Sequence, residues 1–386
     1  MEDSAEEGGF KKPSFLKKNL QLDCISSDMS MSASASYEVT GKAVKLKGAG
    51  IKIMNNGIVN EVTGENYGSI NSEEILFKEQ IGYGSGGCVH LAIHEPSGTQ
   101  LAIKSLNVYD KDKRHQLLNE LSSLNDGMQC DDLVQFYGSY YHDGRVRLVL
   151  EYMNCGSLRS FMDTIKNQFP DQVPLMPEYV ICRCTYQILK ALNFLHKKRH
   201  QIHRDMKPEN ILVNCLGEFK LTDFGISKQL YNTLNICKSF VGTLAYMSPE
   251  RMNSESYSYP SDIWSLGLII YEMGMGQFSY PQCKTFIEMR EVVLNTDPPT
   301  FPDYCGFSEN MHDFLKQCLQ IDPQERAKAS ELLDHPWIQE NLMVESEVIQ
   351  WVQEISELKE QISNDNRVGK EDIAMLGLQD FIGLKE

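Results

Sequence analysis

Between residue 75 and about residue 338 the apolar positions follow the two periods that mark strands and helices, and the N-terminal flank does so only weakly. Residues 75–82 and 89–92 read as strands around a glycine-rich turn. Residues 101–106 form another, with Leu101, Ile103 and Ser105 alternating against Ala102 and Lys104. Leu117, Leu121 and Leu124 then recur at i, i+4 and i+7, which predicts a helix, and residues 146–151 read as a further strand. Beyond it the period turns helical. Ile181, Cys184, Ile188, Leu192 and Leu195 share one face of a long helix. This order predicts a small strand-rich lobe followed by a larger helical one.

The flanks read differently. Residues 1–72 are rich in Ser, Lys, Gly and Asn and weakly periodic, which predicts a flexible stretch with short adhesive pieces. Residues 339–386 are rich in Glu. There Val348, Trp351, Val352, Ile355, Leu358 and Ile362 form a stripe with acidic residues opposite, which predicts an amphipathic helix packed on the protein itself or on a partner.

Charge and cysteine content narrow the class. A formal charge of −16 over 386 residues argues against a nucleic-acid partner. The 11 cysteines are odd in number and show no paired CxxC spacing, so neither a disulfide framework nor a zinc site is expected. Cys182 and Cys184 fall in the apolar helix and read as core. The acidic N-terminus has no apolar run of a secretory kind. The longest apolar stretch, residues 266–275, is too short to span a bilayer and contains Glu272. A soluble cytoplasmic protein is expected, with the nucleus as a further compartment.

The chemistry begins with Gly82, Gly84, Gly87 and Val89, which fit GxGxxGxV. Glycines let a backbone come close to phosphates. A dinucleotide-binding turn or a plain hairpin would fit as well. A dinucleotide turn opens a helix, however, and Cys88-Val89-His90-Leu91 looks like a strand. Lys104 then lies inside an apolar strand, where its charge is costly unless paired. Glu120, 16 residues on (120 − 104), lies on the Leu117/Leu121 helix and supplies a partner beside nucleotide phosphates.

Two more blocks follow in order: His203-Arg204-Asp205-Met206-Lys207-Pro208-Glu209-Asn210, and Asp223-Phe224-Gly225, with the aspartates 18 positions apart (223 − 205). The first block resembles the protein-kinase pattern HRDxKxxN, which implies that Asp205 accepts the proton of a substrate hydroxyl and Lys207 stabilises the transferring phosphoryl group. Asn210 and Asp223 are hard oxygen donors suited to Mg²⁺.

Together with Ser248-Pro249-Glu250, the Asp262-Ile263-Trp264-Ser265-Leu266-Gly267 block and Arg326, these motifs resemble the protein kinase family. The resemblance implies an α+β bilobal protein-kinase fold, with an antiparallel sheet plus one helix in the N-lobe and a mainly helical C-lobe. It implies ATP in the cleft, held by Ile81, Gly82, Gly84, Gly87, Val89, Ala102 and Lys104. Glu151-Tyr152-Met153 would form the hinge, with Leu150 as gatekeeper, and Arg326 would pair with Glu250. Lys207 after Asp205 resembles serine/threonine and dual-specificity kinases. Cys88 and Cys237 would fall in loops near the cleft, as inert thiols or as points of redox control.

Ser239-Phe240-Val241-Gly242-Thr243, with Tyr246-Met247-Ser248-Pro249-Glu250-Arg251-Met252, resembles the activation segment of the MAP kinase kinases. That implies a MAP kinase substrate phosphorylated on Thr and Tyr, and an upstream activating kinase acting on Thr233 and Ser239. Their spacing resembles the plant-type arrangement; position 235, where animal members would carry a site, is asparagine. Lys11-Lys12 and Lys17-Lys18-Asn19-Leu20-Gln21-Leu22 resemble the family's docking site, with Lys17 and Lys18 meeting an acidic groove and Leu20 and Leu22 filling pockets. Two rivals stay open. One is a neighbouring kinase acting one tier higher. The other is a pseudokinase scaffold, against which Lys104, Glu120, Asp205, Asn210 and Asp223 all speak.

Overall fold

A computed structural model describes residues 37–40, 42–46, 51–61, 66–67, 70–84, 87–107, 130–223, 245–253, 255–256, 258–281, 283, 285–341 and 345–375. The described residues up to Tyr152 form one compact unit, and those from Met153 on form a second.

The first unit holds two antiparallel sheets. The larger is built from β6 (Ile75–Gly84), β7 (Gly87–His94), β8 (Thr99–Asn107), β9 (Phe136–His142) and β10 (Arg145–Glu151), in the order β6-β7-β8-β10-β9. Turn chemistry sets its hairpins. Asp143 and Gly144, with φ of 48° and 73°, make the left-handed pair that joins β9 to β10 without splaying them. Every residue of β8 from Leu101 to Leu106 is buried. Leu101 and Ile103 join Ile70, Ile75, Ala92, Tyr140 and Val149 in one apolar layer, which leaves Ala102 and Lys104 on the opposite face. The helix expected at Leu117, Leu121 and Leu124 lies outside the described residues.

The smaller sheet corrects the expectation of a flexible stretch over residues 1–72. Residues 37–67 contain β1 (Tyr37–Thr40), β2 (Ala43–Leu46), β3 (Ile51–Met54), β4 (Gly57–Asn60) and β5 (Asn66–Tyr67), paired in sequence order. Val44, Leu46, Ile51, Ile53 and Ile58 are all buried, and β3 and β4 pack against β9. Strands of two to four residues are too short to display a period of two. The apolar layer forms only when the hairpins bring them together.

The second unit is mainly helical. Its first elements are the short strand β11 (Gly156–Ser157), α1 (Leu158–Gln168) and α2 (Glu178–Lys198). The predicted α2 stripe is buried throughout. Strands β12 (Ile211–Val213) and β13 (Phe219–Leu221) pair with β11 in the order β11-β12-β13. After α3 (Pro249–Met252) comes α4 (Tyr259–Met275), buried on nearly every side. Ser258 and Ser261 cap its start reciprocally, and Gly276 at φ 64° ends it. Then follow α5 (Phe286–Asn295), α6 (Glu309–Cys318), α7 (Ala329–Leu333), α8 (Pro336–Glu340) and the long α9 (Glu345–Met375). The amphipathic tail packs on the protein itself: α9 lies on α1 and α2, with Val348 and Val352 buried and the Trp351 ring 6.0 Å from that of Phe161. No helix among the described residues is long and apolar enough to cross a membrane.

Candidate active site

In the first unit the glycine-rich segment is a hairpin. Gly82 pairs with Val89 and Gly84 with Gly87 across the β6–β7 ladder; the tip residues 85–86 lie outside the described set. Gly87 is required by its position. Its φ is +141°, and a Cβ there would sit 2.1 Å from the carbonyl oxygen of Ser105 on β8. Lys104, next to Ser105, is 6% exposed, registered between Val89 on β7 and Leu148 on β10. Ala102 and Leu150 pair directly and are both buried. Glu151 ends β10 in a reciprocal clasp: its backbone N–H donates to the Gln135 carbonyl at 2.9 Å, and its carboxylate accepts from the Gln135 N–H at 3.1 Å. Ile81 is exposed at 42%.

In the second unit residues 201–207 have no regular structure, so something other than a backbone ladder must hold them. Asp262, at the start of α4 and 1% exposed, does so. Its carboxylate accepts from the N–H groups of His203 at 2.8 Å and Arg204 at 2.9 Å, and from His196 Nε2 at 2.8 Å. Burial pushes the Asp262 carboxyl up, but the His196 bond, the neighbouring histidines and the Arg204 N–H hold it below the usual carboxylate range. Arg204 is thereby fixed at a left-handed φ of 72°. His203 is buried; its Nε2 donates to the Thr222 carbonyl at 2.9 Å, while its Nδ1 accepts from the Asp205 N–H at 3.3 Å.

Asp205 is thus fixed through its backbone, and its side chain is fixed as well. Lys207 Nζ lies 2.9 Å from Asp205 Oδ2. Asn210 Nδ2 donates to the Asp205 carbonyl at 2.7 Å and to Oδ2 at 2.9 Å. Oδ1 of Asp205 is buried and has no hydrogen-bond partner among the described residues. With the Asn210 amide nitrogen committed to Asp205, its carbonyl oxygen remains as a donor atom. Asp223 is brought alongside by the β12–β13 hairpin, since Ile211 pairs with Leu221 and the Thr222 N–H bonds the Asn210 carbonyl at 2.9 Å. The described residues contain no cluster of three or more His, Cys, Asp or Glu. The amide oxygen of Asn210 and the carboxylate of Asp223, on segments joined by that backbone pairing, are of the donor type that suits a hard divalent ion.

Glu250 and Arg326 meet as expected. The guanidinium donates to both carboxylate oxygens at 2.9 and 3.1 Å, and Ser261 Oγ donates to Glu250 at 2.8 Å. Burial pushes the Glu250 carboxyl up, but Arg326 holds it below its ordinary value. Cys182 and Cys184 are fully buried, and burial pushes the Cys182 thiol up to about 12, as befits core residues.

One network was not read from the sequence. Arg159 on α1 donates to Glu272 on α4 at 2.9 and 3.1 Å, to the Tyr246 hydroxyl at 2.7 Å and to Glu209 at 3.2 Å. It ties the loop carrying Asn210 to the segment before α3. The signal available was Glu272, an acidic residue inside an apolar helix.

A protein kinase domain model matches residues 75–338. Mitogen-activated protein kinase kinase 3 of Arabidopsis thaliana is 40% identical over 286 residues, 74% of this chain and 53% of that protein. Mitogen-activated protein kinase kinase 2 of the same plant is 40% identical over 266 residues, 67% of this chain and 70% of that protein. The chain belongs to the MAP kinase kinases, a branch of the protein kinases. The dual specificity mitogen-activated protein kinase kinase dSOR1 of Drosophila melanogaster is 34% identical over 316 residues, 75% of this chain and 76% of that protein. The kinase spans about half the length of the first relative and about 70% of the second. As a protein kinase it is an enzyme that uses ATP and a divalent metal ion. Of the residues expected to act, Glu120, Thr233, Ser239, Lys17, Lys18, Leu20 and Leu22 lie outside the described residues.

Proposed function

We propose that this kinase transfers the γ-phosphate of ATP to Thr and Tyr of a MAP kinase activation loop, with Mg²⁺ as its metal ion. The names of the relatives support the substrate class. The observation that carries the catalytic reading is the Asp205 carboxylate: one oxygen is held by Lys207 and Asn210, and the other is buried with no partner among the described residues. A buried carboxylate oxygen in that state accepts the proton of a substrate hydroxyl. Lys207 moves its charge toward the transferring phosphoryl group while orienting Asp205. Asn210 and Asp223 hold the metal, which when bound supplies charge neutralisation of the phosphate oxygens. Lys104 holds the α- and β-phosphates against Glu120, and Ile81, Gly82, Gly84, Gly87, Val89, Ala102, Glu151 and Met153 bind the remainder of ATP.

Regulation and docking complete the proposal. An upstream kinase phosphorylates Ser239, together with Thr233, and the added charge orders the activation loop. Lys17, Lys18, Leu20 and Leu22 dock the MAP kinase. The kinase works in the cytoplasm, with access to the nucleus.

The test is phosphorylation of an inactive MAP kinase carrying a TxY segment, mapped by mass spectrometry for wild type and Asp205→Asn. Phosphate on both Thr and Tyr, with a rate loss of about 10²–10⁴-fold in Asp205→Asn, is expected. Transfer only to a Ser/Thr-paired loop of another kinase would place the enzyme one tier higher. Undiminished turnover in Asp205→Asn would remove Asp205 from the mechanism.

A further inference from the structure

Helix α9 reaches the stretch that leads from Met153 into α1, where Ser356 bonds the Cys155 thiol and Lys359 bonds the backbone. Lys359 Nζ donates to the Cys155 carbonyl at 3.1 Å and to the Ser160 hydroxyl at 3.0 Å. A Cβ on Gly156 would lie 2.9 Å from that nitrogen, and Gly156 itself sits at φ +89°. The absence of a side chain there is what lets the ammonium in.

The opposite side of the same stretch is fastened to the strands of the active site. The Cys155 N–H donates to the Val213 carbonyl at 3.1 Å, and the Gly156 N–H to the Met153 carbonyl at 3.2 Å. The Cys215 N–H donates to Asn154 Oδ1 at 3.0 Å. Gly156 and Ser157 pair with Val213 and Leu212 of β12. That strand starts one residue after Asn210, and its partner β13 ends two residues before Asp223. One hydrogen-bonded piece therefore carries Met153, Asn210 and Asp223, and Lys359 closes its outer side.

Lys359 is not needed to attach the helix. Val348 and Val352 are buried, Trp351 meets Phe161, and Ile349 lies against Gly217. Both atoms that accept from Lys359 are neutral, and Ser160 stands in the first turn of α1, where the helix dipole disfavours a cation. Burial also holds the amine below its ordinary pKa. An ammonium placed against these terms contributes position rather than cohesion. We propose that Lys359 is a positioning residue for the nucleotide site: it fixes the Cys155 carbonyl and the start of α1, and through them Met153. The inference rests on the assignment of Met153 to ATP binding.

The experiment measures KM for ATP, kcat, and the Kd of a fluorescent ATP analogue for the full chain and its variants. Lys359→Met keeps the length and removes the donors. It should weaken nucleotide binding by about 3- to 10-fold, the loss expected for one or two hydrogen bonds, with kcat within about twofold of wild type. Lys359→Arg, which keeps charge and donors, should recover most of the affinity. Val352→Ala, on the same helix, should lower the melting temperature and leave KM for ATP alone. If Lys359→Met behaves like Val352→Ala, losing melting temperature with unchanged nucleotide affinity, the residue only packs and the proposal falls. Should Lys359→Met not fold, Ser160→Ala removes one acceptor; a smaller rise in KM supports the proposal and an unchanged KM overturns it. Failure of the catalytic reading would show separately, as undiminished turnover in Asp205→Asn.

Discussion

Asp262→Asn should break the loop that carries Asp205 while leaving the helix beneath it in place. The carboxylate takes three hydrogen bonds on two oxygens: His203 N–H and His196 on Oδ2, Arg204 N–H on Oδ1. Asparagine keeps the shape but offers one acceptor, so its NH₂ must face a donor. With the oxygen at the Oδ2 position, the Arg204 bond is lost, at about 1.5–3 kcal/mol for a bond to a charged group. The other two become neutral and weaken by about 1 kcal/mol each. The sum is about 3.5–5 kcal/mol, which for a domain of this size lowers the melting temperature by roughly 7–20 °C.

Activity should fall further than stability suggests. Arg204 sits at φ 72°, a conformation that costs a non-glycine residue about 1–2 kcal/mol, and its bond to Asp262 holds it there. Released, it relaxes and carries Asp205 with it. A displacement of about 1 Å at a reacting group costs on the order of 10²-fold in rate. The assays are calorimetric melting, ATP titration and turnover on a MAP kinase. The expected result is a large loss in kcat with little change in ATP affinity. A variant that melts within about 1 °C of wild type and turns over normally would refute the reasoning.

Two further outcomes follow from single contacts. Gly87→Ala should cost about 3 kcal/mol or more in urea unfolding, because its Cβ would meet the Ser105 carbonyl at 2.1 Å, whereas Gly98→Ala, left-handed but with nothing within 4 Å, should cost about 1 kcal/mol. Glu250 and Asp262 are both held below their ordinary values of 4.5 and 3.8, so each contributes stability above those values that is lost as pH falls through its lower folded value. Acid titration monitored by circular dichroism should therefore show stability falling below about pH 4.5, less steeply in Glu250→Gln.

The motif-bearing part of this kinase was readable because residue type and spacing are themselves the chemistry. Lys104 is buried in its apolar strand, Asn210 bonds Asp205 five residues before it, and Arg326 meets Glu250. The sheet of β1 to β5 was not readable, since Val44, Ile53 and Ile58 form a layer only across hairpins. Arg159 was not readable either: it meets Glu272 across 113 residues of chain and Glu209 across 50, and alone Arg159 and Glu209 look like ordinary surface charges. Lys359 meets Cys155 across 204 residues, beyond any local pattern.

Helix α4 nevertheless carried a clue that periodicity leaves unused. It is buried on nearly every side, so its apolar residues say only that it is central. Its polar residues are the informative ones, because a buried polar group must be satisfied by something. Ser261 donates to Glu250 and so braces the Arg326 pair. Asp262 gathers the backbone of His203 and Arg204. Ser265 donates to the Tyr246 carbonyl at 2.7 Å, and Glu272 accepts from Tyr246 and Arg159. Asp262, Ser265 and Glu272 reach into irregular chain around Asp205 or just before α3, where no ladder fixes the backbone, and Ser261 reaches Glu250 in the first turn of α3. The loop of residues 201–207 can depart from regular geometry, with Arg204 left-handed, because a rigid buried helix holds it from below. A polar residue in an otherwise apolar helix thus marks what the helix holds in place, and in this kinase Asp262 holds the segment that bears Asp205.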